Sequence, residues 1–309
     1  MATDPPMIAR SRTDWWGMAF LAAIVFCLVA CFAFLVVLIG DVVRTGAPVF
    51  GSRAGEFLTG NLATRPEQAG VAQAIRGSLL LAAIVVVIAF PLGVATAVYL
   101  EEYAADTRFT RIIALNIRNL AGVPSVVYGL LGLAVFVQAL GTDLDGGLTG
   151  GRSLLAGGLT LAILVLPIVI ITAAEAIRAV PTTLREAGYG LGATRSDVVR
   201  TLVLPSAAPG VLTGSVLSLA RALGETAPLI LTGAVLTTYL SSRPAGLLEQ
   251  LRGDYTALPV VIYTWARQAK PEFKTELASA AILVLLAITV LCNLGAVLLR
   301  NRYERRRVG

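Results

Sequence analysis

Residues 185–205 read REAGYGLGATRSDVVRTLVLP, a polar segment between two apolar runs of membrane-spanning length. Several glycines interrupt the segment, and each glycine costs an α-helix about 1 kcal/mol relative to alanine. We therefore expect a first short helix that has Thr182 or Thr183 as its N-cap. A break is expected near 190–192, followed by a second short helix over 195–203. Such an insertion either docks another protein or is an amphipathic helix that only links two spans.

The composition of the chain places it in a membrane. Hydrophobic residues make up 56% and charged residues 14%, whereas soluble domains are about 25% charged. A bilayer core about 30 Å thick needs about 20 apolar residues in a helix, and a β-barrel would show alternating hydropathy instead of continuous runs. The sequence therefore predicts an all-α integral membrane protein with six transmembrane helices, at about 17–40, 78–100, 120–140, 153–173, 207–240 and 277–299.

Basic residues at both ends of the chain indicate its orientation. Arg10 and Arg12 precede an apolar run that exceeds the signal-peptide core of about 7–15 residues, so we interpret the run as a retained first span. Cytoplasmic loops are rich in Lys and Arg, which predicts an inner-membrane protein with both termini and the 185–205 segment in the cytoplasm. The net charge of +6 then reflects topology and contact with anionic lipids, not nucleic-acid binding. The arginines near the C-terminus are Arg300, Arg302, Arg305, Arg306 and Arg307.

Several classes of chemistry are excluded by missing residue types. The chain has no histidine, which rules out Ser-His-Asp catalysis and His-ligated metal sites. Its three cysteines are expected to be buried apolar thiols, so no metal site is predicted. A P-loop needs a Lys that follows a Gly, and neither Lys270 nor Lys274 does so. We expect no enzymatic activity and no nucleotide site on this chain.

Two ionisable residues stand inside the fifth apolar run. Arg221 and Glu225 are four residues apart, so on a helix they share one face and can pair. Each costs about 2.5–3.5 kcal/mol to place in a membrane, and Gly224 and Pro228 interrupt the helix around them. One interpretation is a pathway for a polar substrate, in which Arg221 offers N–H groups to an oxyanion, Glu225 compensates its charge and Thr226 lies alongside. The other is a buried ion pair that only fixes helix packing.

The 185–205 segment resembles the EAA-type cytoplasmic coupling loop of ABC importer permeases. The matching residues are Glu186, Ala187, Gly192, Leu204 and Pro205, while Gly188 stands where the family usually has Ala. The resemblance implies a coupling segment over 182–203 that docks on a separate ATPase. The residues it assigns to this coupling are Arg185, Glu186, Ala187, Gly188, Gly192, Leu204 and Pro205.

The stretch 221–230, RALGETAPLI, is similar to the PstA-type subunit of the phosphate-specific ABC permeases. Three further stretches share this resemblance: 77–79, 119–132 and 257–265. The resemblance implies a type I (MetI-like) importer architecture and covers about residues 70 to 300. The expected domains are a cytoplasmic tail over 1–14, the first helix and outer loop over 15–69, the permease domain over 70–300 and a basic tail over 301–309.

The same resemblance implies a function and a set of partners. The chain would be a permease subunit of an ATP-driven inorganic phosphate importer, without a cofactor of its own. Its partners would be a PstC-type permease, a PstB-type ATPase dimer that binds ATP and Mg, an extracytoplasmic phosphate-binding protein, phosphate and membrane lipids. Three alternatives stay open: an ABC permease for sulfate, molybdate or phosphonate, an ion-coupled secondary transporter with Glu225 as the titrating group, and a membrane sensor subunit.

Some smaller features also carry expectations. Gly129 and Gly132 are expected to permit close helix contact. Trp265 is interpreted as an anchor at the membrane interface. The acidic residues Glu101, Glu102 and Asp106 are interpreted as a solvated loop, and contact with the ATPase is the alternative.

Overall fold

The computed structural model describes residues 15–141, 147–234 and 246–308. Within these ranges the chain is helical and contains no strand. The helices are α1 (Trp15–Thr59), α2 (Ala72–Val98), α3 (Arg108–Ala121), α4 (Ser125–Gly132), α5 (Leu154–Arg178), α6 (Thr182–Gly190), α7 (Arg195–Asp197), α8 (Leu204–Gly224), α9 (Ala227–Leu231), α10 (Leu247–Arg252), α11 (Leu258–Trp265) and α12 (Ala278–Val308). The tail at 1–14 and the end of the fifth predicted run, 235–240, lie outside the described residues.

Short π-helical turns extend four of these helices. They occupy Tyr99–Tyr103 after α2, Leu133–Ala139 after α4, Val198–Val203 between α7 and α8, and Phe273–Leu277 before α12. The turn at Val198–Val203 makes the chain helical without a gap from Arg195 to Gly224. The second short helix predicted over 195–203 is therefore the beginning of the fifth span and not a separate element.

Five helices are long and apolar enough to cross a membrane, and a bent pair brings the number to six if it counts as one span. The pair consists of Arg108–Ala121 and Ser125–Ala139, whose axes differ by 101°. The bend follows from Gly122 and Pro124, because Pro disfavours helical geometry in the residue before it and cannot donate to the helical ladder. The third predicted span is therefore a shorter helix with a sharply turned helix in front of it.

The fifth predicted span also ends earlier than its apolar run. Glu225 has the extended backbone angles φ −75° and ψ 130°, so α8 stops at Gly224. The chain then forms the single turn of α9, in which Pro228 occupies one of the first two positions. The interruption predicted around Gly224 and Pro228 is confirmed.

Helix α5 is the centre of the bundle. It packs between α2 and α8, and most of its apolar surface is buried by them. Small residues make this packing close: a Cβ added to Gly214 of α8 would lie 2.4 Å from Thr172 of α5. Pro91 and Pro167 lie inside α2 and α5 without ending either helix.

A second cluster joins the end of α1 to α11 and the start of α12. The rings of Phe57 and Trp265 are 6.4 Å apart, and those of Trp265 and Phe273 are 5.5 Å apart. Trp265 is 1% exposed, so its interpretation as an interfacial anchor is wrong. The indole is buried because Phe57 of α1 and Phe273 of the π-helical turn before α12 pack against it.

Candidate coupling and translocation sites

Helix α6 and the turn after it form the predicted coupling segment. Gly192 has φ +80°, a left-handed conformation that glycine adopts without steric cost, and this turn ends the short helix. The break predicted near 190–192 is confirmed. The predicted N-cap is wrong, because Thr182 is already helical and Pro181 occupies the N-cap position without a side-chain hydrogen bond.

The second part of the segment has a side-chain cap that the sequence interpretation missed. The hydroxyl of Thr194 accepts a hydrogen bond from the backbone N–H of Asp197 at 3.3 Å, and the Asp197 carboxylate accepts one from the Thr194 N–H at 3.1 Å. Such a reciprocal pair satisfies two donors at the start of a helix. The spacing Thr-x-x-Asp was the available signal.

The outward face of α6 combines a carboxylate with apolar side chains. Glu186 and Ala187 are exposed, as are Tyr189 and Leu191, and Leu191 is 89% exposed. Leu204 and Pro205 are half-buried at the beginning of α8 and contribute to the span itself. The structure thus brings only part of the predicted set to one accessible surface.

Arg185 and Gly188 point into the protein instead. The Arg185 guanidinium donates to the Glu102 carboxylate at 2.7 Å and 3.1 Å, and to the carbonyls of Val180 and Ile177 at 2.7 Å and 2.9 Å. A Cβ on Gly188 would lie 2.8 Å from the side chain of Val198. Both residues therefore hold α6 against its own chain.

The loop at 101–106 is only partly the solvated surface that we expected. Glu102 is buried because it pairs with Arg185, while Glu101 pairs with Arg178 through contacts that include one of 3.2 Å. Asp106 is exposed, and the hydrogen bond and charge of Arg111 hold the pKa of its carboxyl below the usual value. The interpretation as a solvated residue is wrong for Glu102, because its carboxylate is buried in the pair with Arg185. Arg185 lies 83 residues away, so the local sequence does not reveal the pair.

The candidate translocation site lies where α8 ends. The Nε atom of Arg221 is 3.5 Å from the Glu225 carboxylate, so the predicted ion pair is present. It forms across the end of the helix, because Glu225 is already extended and does not share a helical face with Arg221. The Arg221 side chain is 48% exposed and that of Glu225 is 16% exposed. Thr226 follows and is half-buried.

Helix α4 packs directly beside this site. A Cβ on Gly129 would lie 2.9 Å from Cα of Pro228 in α9, and one on Gly132 would overlap Thr160 of α5. The expectation that these glycines permit close helix contact is confirmed. The Tyr128 hydroxyl donates to the Leu120 carbonyl at 2.8 Å, which ties α4 to the end of α3.

Two of the stretches that carry the family resemblance, 77–79 and 257–265, contact each other. The Ser78 hydroxyl accepts a hydrogen bond from the backbone N–H of Leu258 at 2.9 Å, across 180 residues of sequence. Nearby, the buried Tyr255 hydroxyl hydrogen-bonds Thr232 at 2.9 Å, and burial raises the pKa of this phenol so that it stays neutral. Nothing in the sequence pattern distinguished Tyr255 or Thr232 beforehand.

No cluster of acidic, cysteine or histidine side chains in the described part of the chain could hold a metal ion. The expectation of buried thiols is wrong, because Cys27 and Cys31 lie on the exposed part of α1 and Cys292 is half-buried. The two sites contain instead the ion pairs Arg185–Glu102 and Arg221–Glu225. Such pairs can hold or exchange an anion or stabilise a helix end, and they offer no nucleophile with an adjacent base.

Known proteins match this sequence and fold. Residues 89–308 match the family model "Binding-protein-dependent transport system inner membrane component". The chain is 37% identical over 245 residues to the "Phosphate transport system permease protein PstA 1" of Mycobacterium tuberculosis (strain CDC 1551 / Oshkosh), covering 78% of this chain and 75% of the relative.

Two solved transporters share the fold. A bacterial alginate ABC transporter aligns with a TM-score of 0.61 and 16% identity, over 92% of this chain and 93% of its own. The inward-facing methionine ABC transporter MetNI aligns with a TM-score of 0.54 and 17% identity, over 78% of this chain and 99% of its own. These identities show the fold alone.

The fold is that of a multi-pass membrane protein, and the match to the family model makes it a membrane permease with an exposed short helix, α6. The chain belongs to the inner-membrane permease components of binding-protein-dependent ABC importers, and among them to the PstA-type permeases. It is a transport component and not an enzyme. The predicted family and the type I importer architecture are confirmed, and the domain boundaries at residues 14, 69 and 300 stay predictions.

Proposed function

We propose that this permease carries inorganic phosphate along a pathway that passes Arg221. The observation that carries the proposal is a guanidinium, 48% exposed, at a helix break inside an apolar span. Placing such a group in a membrane is costly, which favours a functional role. The similarity to a relative named for phosphate transport supports phosphate as the substrate.

The geometry of the pair suits a transient anion site. Arg221 and Glu225 make one contact of 3.5 Å and not the bidentate pair that binds most strongly. An incoming oxyanion can therefore compete for the guanidinium, while Glu225 compensates the charge when no anion is present. Thr226 supplies a hydroxyl next to them in the chain.

The energy for transport comes from a separate ATPase. The outward face of α6, formed by Glu186, Ala187, Tyr189 and Leu191, is the docking surface, and a PstB-type ATPase dimer is the partner. ATP and Mg²⁺ bind to that partner and not to this chain. An exposed apolar residue such as Leu191 beside a carboxylate provides both contact area and orientation.

Two further partners complete the importer. The apolar part of α1 is exposed on all sides within this chain, so α1 is available to lipid and to a PstC-type permease with which the pathway is shared. An extracytoplasmic phosphate-binding protein delivers the substrate at the side opposite α6. Both termini and α6 lie in the cytoplasm, in agreement with the basic residues at the two ends.

Phosphate uptake tests this proposal. Radiolabelled phosphate uptake is measured in cells that lack the gene and are supplied with wild-type protein, Arg221→Gln or the control Arg111→Gln. Wild type and Arg111→Gln should restore uptake, because Arg111 pairs with the exposed Asp106 and with no other residue that the structure describes. Arg221→Gln should abolish uptake while reaching the membrane in normal amounts.

Other results would point to the alternatives. Normal uptake by Arg221→Gln would make the ion pair purely structural. Gene-dependent uptake of labelled sulfate, molybdate or phosphonate, without gene-dependent uptake of phosphate, would assign a different oxyanion. Loss of uptake when an uncoupler collapses the proton gradient while ATP is maintained would indicate a secondary transporter.

A further inference from the structure

Helix α6 is attached to the membrane bundle by one buried ion pair. Glu102 lies in the π-helical turn that ends α2, and its side chain is 6% exposed. Its carboxylate accepts two hydrogen bonds from Arg185 of α6. The pair therefore joins the coupling helix to a helix that precedes it by 83 residues in the sequence.

The Arg185 guanidinium joins more than two elements. It also donates to the Ile177 carbonyl near the end of α5 and to the Val180 carbonyl in the connection to α6. A planar guanidinium can make these contacts at once, whereas a lysine ammonium lacks the rigid fork. The ends of α2 and α5 are therefore fixed to α6 through one side chain.

Packing also holds the same face of α6, three residues after Arg185. Gly188 lies against Val198 and Leu202 in the π-helical turn before α8. The π-helical turn that carries Glu102 also contacts α7. The Arg195 guanidinium lies 5.4 Å from the ring centroid of Tyr103 in that turn. This face of α6 thus contacts two π-helical turns, and such turns occur frequently at functional sites.

We propose that the Glu102–Arg185 pair transmits the movement of α6 to α2 and α5, so that Glu102 and Arg185 are positioning residues for transport. The inference rests on the proposed docking of an ATPase on α6. Movement applied to the outward face of α6 reaches α8 through packing at Gly188. Its direct side-chain link to α2 is the ion pair, and without the pair ATP hydrolysis proceeds while the pathway does not switch.

A neighbouring ion pair provides a matched control. Glu101 precedes Glu102 directly but pairs with Arg178 of α5, whose side chain is 59% exposed. That pair has no contact with α6 among the described hydrogen bonds. Glu101→Gln removes the same charge as Glu102→Gln, one residue away, without affecting the link to α6.

The test uses the assembled transporter in proteoliposomes with its binding protein. Phosphate uptake and ATP hydrolysis are measured for wild type, Glu102→Gln, Arg185→Gln, the double variant and Glu101→Gln. Each single variant should lower phosphate transported per ATP hydrolysed roughly tenfold, while the ATPase still co-purifies. The double variant should be no worse than either single variant, since both remove one interaction, and Glu101→Gln should match wild type.

The distance between two spin labels distinguishes a positioning role of Glu102 from a general loss of structure. Spin labels on Tyr99→Cys and Thr183→Cys, with the three native cysteines replaced by serine, report the separation of α2 and α6. Wild type should keep one narrow distance with and without trapped nucleotide. Glu102→Gln should show a changed or broadened distance only when nucleotide is trapped.

Two outcomes would overturn the inference: an unchanged transport ratio in Glu102→Gln, or losses in the two single variants that multiply in the double variant. Failure of the proposed function has a different result. In that case the wild-type complex itself binds no ATPase, or transports no phosphate when ATP is hydrolysed.

Discussion

Gly77 shows how tightly a single residue determines the packing of α2 against the loop before α11. A Cβ at this position would lie 1.9 Å from the backbone carbonyl oxygen of Thr256. The next residue, Ser78, accepts the hydrogen bond from Leu258 that begins α11. Because the obstacle is backbone and not a flexible side chain, α2 and the loop before α11 must separate to admit a methyl group.

Gly77→Ala should therefore destabilise the protein by about 1–3 kcal/mol, the usual cost of overpacking a core. The measurement is the midpoint of thermal unfolding of the detergent-solubilised complex. Gly40→Ala is the control, because a Cβ there meets no atom within 4 Å and alanine favours a helix. Equal melting of wild type and Gly77→Ala would show that the contact is looser than the structure indicates.

The two ion pairs, Arg221–Glu225 and Glu102–Arg185, differ in whether the sequence alone predicts them. The pairing of Arg221 with Glu225 followed from their spacing, although the geometry across the helix end did not. Glu102 and Arg185 are separated by 83 residues, and only the packing of α2, α5 and α6 brings them together. Local spacing carries no information about such a contact, so Glu102 was interpreted as solvated.

At the scale of elements, α6 is a short helix with two different faces. Arg185 and Gly188 attach it to the bundle, and Glu186, Tyr189 and Leu191 leave it accessible. The break after α6 was predictable because glycines destabilise a helix and adopt positive φ without steric cost. Which residues face inward was not predictable, because it depends on where the two π-helical turns lie.

Glu186→Arg should weaken ATPase docking roughly tenfold, since it reverses a charge at the centre of the exposed face of α6. The measurement is co-purification of the ATPase with affinity-tagged permease at increasing salt. Asp106→Arg is the matched control, an exposed carboxylate in the loop before α3. Undiminished co-purification of the ATPase with Glu186→Arg would contradict the assignment of this face.

The bent pair of α3 and α4 shows the limit of hydropathy at this scale. An apolar run of the right length predicts a span, but it does not report the direction of the helix. Gly122 and Pro124 were visible in the sequence, and together they account for the 101° bend. The position of the third apolar run is therefore predicted correctly, but the sharp bend between α3 and α4 is not.

For the whole molecule, this bend determines the topology. If α3 and α4 together cross the membrane, the chain has six spans and both ends lie on one side. If the pair enters and leaves on one side, the chain has five spans. The segment at 147–152 and the coupling segment would then both exchange sides relative to the N-terminus.

Accessibility of two single cysteines distinguishes these topologies. With native cysteines replaced by serine, Leu148→Cys should react with a membrane-impermeant maleimide in intact spheroplasts, because Leu148 is 71% exposed on the proposed outer side. Arg200→Cys, exposed before α8, should react only after permeabilisation. Labelling of Arg200→Cys, and not of Leu148→Cys, in intact spheroplasts would mean that α3 and α4 re-enter on one side. The ATPase could then not reach α6 from the cytoplasm, so this experiment also tests the coupling assignment independently of transport.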